Sequence, residues 1–464
     1  MKVKTHNIKL LTTALAGLFI LLGIIAIWVI CFEGQKSAID LKLPSPSIGV
    51  SREVELTVSD DKSGLRRIWI GIVKDRREKT IFEKEYPGKA IFTGGRIKKD
   101  TLKVIIEPKK LDLPDGKAIL RISVRDFSWR KWWKGNSTYL EKEILIDTKA
   151  PDIAVLTQVH NITQGGSGLV IYRLSEPCPQ SGVFVGGNFF PGRAGFFKNR
   201  DIHMAFCALS YTQGVGTEIF IKATDYAQNN SRAGINYHIR KKKFRKDRIR
   251  LPESFLNRKV PEFDKELSHL KQGTLIDRFL AINRGLRMKN YQQVMELTQK
   301  TTNTLYWKGV FLRQPKSARK AGFADYRDYL YKGKKVDNQV HLGIDLASLP
   351  LSPVLATNSG KVVFGDNLGI YGKTVIIDHG FGLMSMYAHL SQAKVKPEQM
   401  VSRGEVVGRT GSTGLAGGDH LHFSLIVNKT FVNPIEWWDA KWIENNVTSK
   451  IELIKQCCEE KEQG

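Results

Sequence analysis

Two histidines, His420 and His422, sit two residues apart in the stretch GGDHLHFSL, residues 417–425. The surrounding run is apolar and reads as a strand, and alternation along a strand points both imidazoles to one face. Upstream, HLGID supplies His341 and Asp345, and YAHL supplies His389. Catalytic zinc takes three protein ligands from His, Asp and Glu and leaves a fourth position to water. This set holds enough donors for that, with histidines to spare.

The spacings constrain the backbone. In a straight strand, positions i and i+4 share a face but lie about 13 Å apart. His341 and Asp345 can share one ion only if the chain bends between them, and Gly343 permits the bend. A helix would also pair i with i+4, but Gly343 and the nearby Pro350 and Pro353 argue against one. His420 and His422 lie about 6–7 Å apart along a strand, so one can bind the metal while the other faces its water. Each motif alone is common and carries little weight. Their occurrence together, in order and flanked by glycines, is what points to a site. His379, in IDHG, reads as a structural turn residue, and His6, His160, His203, His238 and His269 read as bland.

The elements that must position these residues are short. Over 306–442, runs such as GKVVFGDN, KTVIIDHG, LMSMYAHL and HLHFSLIVN alternate with glycine turns, which predicts a compact, mainly antiparallel β domain. The chain of 464 residues is too long for one core, so further domains are expected. Runs such as VELTVSD, RIWIGIV and AILRISVRD predict a β-sandwich over 36–148. A second β domain follows over 149–245. Both segments resemble bacterial immunoglobulin-like modules and read as spacers. Residues 246–305 read as a basic linker and a helical hairpin, with Phe263, Leu267, Leu270 and Leu275 at helix-like intervals. The run RKKKFRKDRIR (240–250) reads as a solvated linker, and 443–464 as a polar tail, a short helix or disordered. The fold class expected for the whole chain is mainly β.

Net charge is +26, which suggests an anionic partner. Leu10–Phe32 contains no charged residue. As a helix it rises about 1.5 Å per residue and would cross a hydrocarbon core of roughly 30 Å. Lys2, Lys4 and Lys9 precede it, so residues 1–35 predict a short cytoplasmic N-terminus and an anchor in the inner membrane, with the rest exported. The bulky AIWVICFEG argues against a cleaved signal peptide, and Ile30 before Cys31 argues against a lipoprotein. Export makes lipid and wall polymers, not nucleic acid, the anionic partners. Cys178 and Cys207 lie in one predicted β domain, and two readings stay open: a disulfide, or two buried thiols.

HLGIDLA, YAHLS, GRTGSTG and GGDHLHFSL, followed by NPIEWW, together resemble the lysostaphin-type (LytM-type) zinc endopeptidases that cut cell-wall peptides. The resemblance covers 306–442. It implies zinc as cofactor, with His341, Asp345 and His422 as ligands. It implies His389 and His420 as catalytic residues that orient or deprotonate the attacking water and stabilise the oxyanion. Asp419 departs from the family pattern, where a proline or small residue is usual, but it falls on no ligand position. The stretch GFADYRDYLYKGKKVDNQ resembles Gram-negative envelope versions, and its Arg327 has no assigned role. The resemblance implies an anchored periplasmic endopeptidase acting on peptidoglycan stem peptides, with divisome or wall-synthesis proteins as partners. The alternative is an envelope protein that binds and activates a cell-wall amidase without cleaving. In exported wall hydrolases a segment like 246–305 can cover the active site.

Overall fold

The computed structural model describes residues 2–32, 34–90, 94–266 and 273–459. It is mainly β and divides into two compact units. One comprises Met1–Ala150 with Thr224–Asn230, and the other Pro151–Ala223 with Ser231–Gly464.

The first unit begins with the helix Lys2–Cys31. Its side chains are described over residues 11–26 and at Trp28, and apolar ones such as Leu11, Phe19 and Trp28 are exposed. The span expected over Leu10–Phe32 thus falls partly outside the described side chains. Among the described residues, no helix is long and apolar enough to cross a membrane. Beyond it lie two sheets. Three antiparallel strands, Ala38–Lys42, Arg52–Ser59 and Lys99–Ile106, make one. The other has five strands and centres on Leu65–Lys74, Gly116–Asp126 and Ser137–Ile146. Alternate residues turn inward, so Val54, Leu56 and Val58 meet Ile68, Ile70, Ile72, Leu120 and Ile122 in one apolar core.

The second unit holds the histidine motifs. Its main sheet runs in the order Ala318–Ala321, Ile344–Ala347, Leu421–Val427, Leu383–Leu390, Lys373–Gly380, Gly360–Asn367, Met400–Val401. All the pairings along it are antiparallel. Every residue of Leu383–Leu390 and Leu421–Val427 is buried, so both faces of the sheet centre are covered. The preceding β segment shares this core. Trp437 donates from Nε1 to Ser167 Oγ at 3.0 Å, and its ring packs on Phe206, Trp307 and Phe311. Cys178 and Cys207 do not form a disulfide, and Cys207 is a buried thiol.

One stretch departs from the sequence reading, and the tail takes the helical one of its two alternatives. The basic run does not stay a solvated linker, because Lys246–Arg250 pairs in parallel with Asp325–Tyr331. Its arginines alternate with Asp247 and Ile249, which turn inward while Arg248 and Arg250 stay exposed. The tail continues as helix through Ser449–Glu459, and Ile443, Val447, Ile451 and Ile454 are buried. Those spacings of four, four and three place them on one helical face. The hairpin segment forms Glu253–Lys259, Leu275–Ala281 and Arg287–Leu297. Thr274 and Asp277 close a capping box at the second of these. Leu267, His269 and Leu270 lie outside the described residues.

Candidate metal centre

Four strands bring the motifs together. His341 ends the strand Lys334–His341, and Asp345 lies in the next strand, Ile344–Ala347. The chain changes sheets across Leu342 and Gly343, which is the bend that the spacing demanded. A Cβ on Gly343 would stand 2.6 Å from both His422 Nε2 and Ser424 Oγ, so only glycine fits there. Pairing of Ile344–Ala347 with Leu421–Val427 sets Asp345 directly opposite His422, and Ala388 faces His422 from the other side. His389 follows Ala388 with a left-handed φ of 60°, a strained conformation for a side chain that must point into a site.

Three atoms converge. His341 Nε2 is 2.9 Å from Asp345 Oδ1 and 2.9 Å from His422 Nδ1. His422 Nδ1 is 3.0 Å from Asp345 Oδ1. Hydrogen bonds on the far side of each ring set its tautomer. His341 Nδ1–H donates to the Gly322 carbonyl at 2.8 Å. Ser424 Oγ–H donates to the Leu342 carbonyl at 2.8 Å, so that hydroxyl accepts from His422 Nε2–H at 3.1 Å. A neutral imidazole has only one N–H, and with these far-side bonds made, His341 Nε2 and His422 Nδ1 are the nitrogens left for a metal. Burial pushes His422 down to about 4, which keeps it neutral. Burial would raise the Asp345 carboxyl, but the surrounding histidines, His341 foremost, hold it well below the usual carboxylate range. Two imidazole nitrogens and a carboxylate oxygen thus face one another at 2.9–3.0 Å. Such a donor set fits a divalent cation, and it is geometrically able to hold one.

The other two histidines stand beside this set. His389 and His420 ring centroids are 5.0 Å apart, and His389 and His422 are 5.7 Å apart. His389 Nδ1–H donates to the Thr413 carbonyl at 2.9 Å and His420 Nδ1–H to the Gly418 carbonyl at 2.8 Å. Both Nε2 atoms are left to face the site. Burial, then the neighbouring His420 and His422, hold His389 well below the ordinary histidine value. All five residues singled out in the sequence therefore meet in one place. His379 is elsewhere, buried between the Ser359 carbonyl and Ser385 Oγ.

Sequence reasoning assigned nothing to Arg327, yet it belongs here. Its guanidinium donates to Asp345 Oδ2 at 2.8 Å. The Asp345 carboxylate is thereby turned so that Oδ1 alone faces the histidines. The hairpin segment also reaches the site. A cleft of about 450 Å³ opens over His389 and His420, walled on one side by Phe255, Arg258 and Arg287. Lys259 Nζ donates to the Ser412 carbonyl at 2.5 Å and Arg258 to the Gly417 carbonyl at 3.3 Å. These bonds tie the helix Glu253–Lys259 to the loop that carries the GRTGSTG motif.

An antiparallel β domain with a buried His-Asp-His cluster and two further histidines defines a metallopeptidase-type site. Residues 339–434 match the family model Peptidase family M23, so the C-terminal part of the chain is an M23 domain. Over 97 residues, 21% of this chain and 22% of the relative, it is 42% identical to the DD-carboxypeptidase/endopeptidase Mpg of Neisseria meningitidis serogroup B (strain MC58). Over 96 residues, 20% of this chain and 25% of the relative, it is 35% identical to the murein hydrolase activator NlpD of Escherichia coli (strain K12). The match thus spans about a quarter or less of these curated relatives. A crystal structure of a putative peptidase M23 from Pseudomonas aeruginosa aligns with 60% of this chain and 95% of its own, at 22% identity and a TM-score of 0.38.

Proposed function

We propose that this chain is a membrane-anchored, zinc-dependent endopeptidase that hydrolyses peptide cross-links of peptidoglycan. The observation that carries the reading is the set of three metal-ligating atoms, His341 Nε2, Asp345 Oδ1 and His422 Nδ1, within 3.0 Å of one another. These residues would hold zinc. When bound, zinc supplies a Lewis acid for the scissile carbonyl and lowers the pKa of a water toward neutrality. His389 and His420, each fixed by its Nδ1–H, offer Nε2 to accept the proton of the attacking water and return one to the leaving amine. A protonated imidazole of this pair also stabilises the developing oxyanion. The arginines of the cleft wall, Arg258 and Arg287, suit the carboxylates of stem peptides. Exposed apolar side chains along Lys2–Cys31 support attachment to a membrane and export of the remainder.

The relative NlpD, named as a murein hydrolase activator, keeps the activator reading as the alternative. The presence of all five metal-site and catalytic side chains favours cleavage. The test is zinc content and digestion of isolated peptidoglycan by the wild type, His422→Ala and His420→Ala. Wild type should carry zinc and release cross-linked peptides. His422→Ala should lose both zinc and activity, and His420→Ala should lose activity while zinc stays. A wild type without zinc that leaves the cross-links intact would overturn the reading. Stimulation of an added wall amidase by that inert protein would establish the alternative.

A further inference from the structure

The loop SWRKWWKG (128–135) in the first unit has no part in the chemistry above. It places three tryptophans among Arg130, Lys131 and Lys134, with no acidic residue between. Trp132 is 86% exposed and Trp133 58%, an unusual outlay of large apolar surface on water. The loop is nonetheless a built feature. Lys131, Trp132 and Trp133 hold left-handed φ values of 51°, 56° and 59° in succession, a conformation that L-residues disfavour. Asp126 pins its base: Oδ1 accepts from the backbone N–H of Ser128 and of Asn136 at 2.9 and 2.7 Å, and Oδ2 accepts from Asn136 Nδ2 at 2.8 Å. Gly135 must be glycine, because a Cβ would meet the Asp126 carbonyl at 2.2 Å. Arg66 donates to the Trp133 carbonyl at 2.6 Å.

The loop is also continuous with the end of the apolar helix. Trp28 stacks on Phe32 at 5.7 Å, Phe32 meets Trp129 edge-on at 6.0 Å, and Trp129 reaches Trp133 at 6.1 Å. Arg130 Nε donates to the Phe32 carbonyl and Asn136 Nδ2 to the Gln35 carbonyl, both at 3.3 Å. An aromatic cluster therefore runs from the helix end into the loop, and the loop's Arg130, Lys131 and Lys134 are exposed. Tryptophan prefers the level of lipid headgroups, where its ring is buried and its N–H stays wet, and lysine and arginine beside it pair with anionic headgroups.

We infer that the Ser128–Gly135 loop is a second membrane contact, which seats Trp132 and Trp133 in the headgroup region of an anionic phospholipid bilayer beside the helix Lys2–Cys31. This rests on the reading of that helix as an anchor, and it goes further. The first β unit would be held against the bilayer at two points, not swung on a single tether.

The test is tryptophan emission of the full chain in nanodiscs of phosphatidylethanolamine and phosphatidylglycerol with brominated acyl chains, comparing wild type, Trp28→Phe and W132F/W133F. Matching thermal melts would show that the variants keep the fold. The expected result is lipid quenching in the wild type, of which W132F/W133F loses a large part and Trp28→Phe another. If Trp28→Phe loses quenching and W132F/W133F retains all of it, the anchor stands and the loop contact is refuted. If no variant differs and the wild type is not quenched, the anchor reading fails and takes this inference with it. An emission shift of Trp132 and Trp133 on added peptidoglycan, without lipid quenching, would assign the loop to the wall and overturn the inference.

Discussion

Asp345 divides its two oxygens between different tasks. Oδ1 faces His341 and His422, and Oδ2 takes the guanidinium of Arg327. Without that partner the carboxylate is free to rotate and its second oxygen is left buried. Loss of a side chain that orients a metal ligand lowers metal affinity by about 10–100-fold. Arg327→Ala should therefore release zinc at a chelator concentration lower by that order, with activity falling in parallel. Arg327→Lys should recover only part, because a lysine cannot present the planar fork. Equal chelator sensitivity in all three proteins would remove Arg327 from the site. The histidines and Asp345 were legible in the sequence because metal chemistry admits few residue types. Arg327 was not, since an arginine 18 positions before a ligand says nothing until Asp325–Tyr331 pairs with Lys334–His341.

At the scale of elements, the turn at Leu342–Gly343 and the short helix Pro434–Trp437 each support one prediction. Gly343→Ala would push a methyl group into His422 and Ser424. It should weaken zinc binding while leaving His389 and His420 in place, as metal titration would show. Glu436, in the short helix, accepts from the Ser167 N–H at 3.1 Å. Burial raises its carboxyl from 4.5 to about 7. A carboxyl with a raised folded-state pKa binds its proton more tightly when folded. Stability from this group is therefore full below about pH 4.5 and is lost as pH rises to about 7. Glu436→Gln should flatten that dependence, and its melting-temperature advantage over wild type should grow across the window. A constant difference between the two melting curves would contradict this origin. The bend at Gly343 was legible because two ligands four apart cannot share an ion along a straight strand. The fate of RKKKFRKDRIR was not, because charge density masked the inward alternation of Asp247 and Ile249.

The whole molecule consists of two compact units, and the His341–Asp345–His422 centre lies in the second. A ligand that binds only the folded form stabilises by about 4 kcal/mol when its concentration is a thousandfold above Kd. Calorimetry with and without a chelator should therefore shift the transition of the unit containing 231–464 and leave that of the N-terminal sandwich unmoved. A common shift of both transitions would mean that the two units unfold as one. The sequence by itself determined the mainly β character, the five side chains of the site and the need for a bend between His341 and Asp345. Strand periodicity and metal chemistry are local constraints written in residue type and spacing. Tertiary structure alone decided which nitrogen of His341, His422 and His389 is left for the site, because the carbonyls that set them are distant in the chain: Gly322, Leu342 through the Ser424 hydroxyl, and Thr413. It alone brought Arg327 to Asp345 and the helix Glu253–Lys259 to the cleft. It also set apart the pair that first drew attention: His422 Nδ1 lies 2.9 Å from His341 Nε2 and 3.0 Å from Asp345 Oδ1, whereas His420 Nε2 stands farther off, 3.5 Å from Asp345 Oδ1.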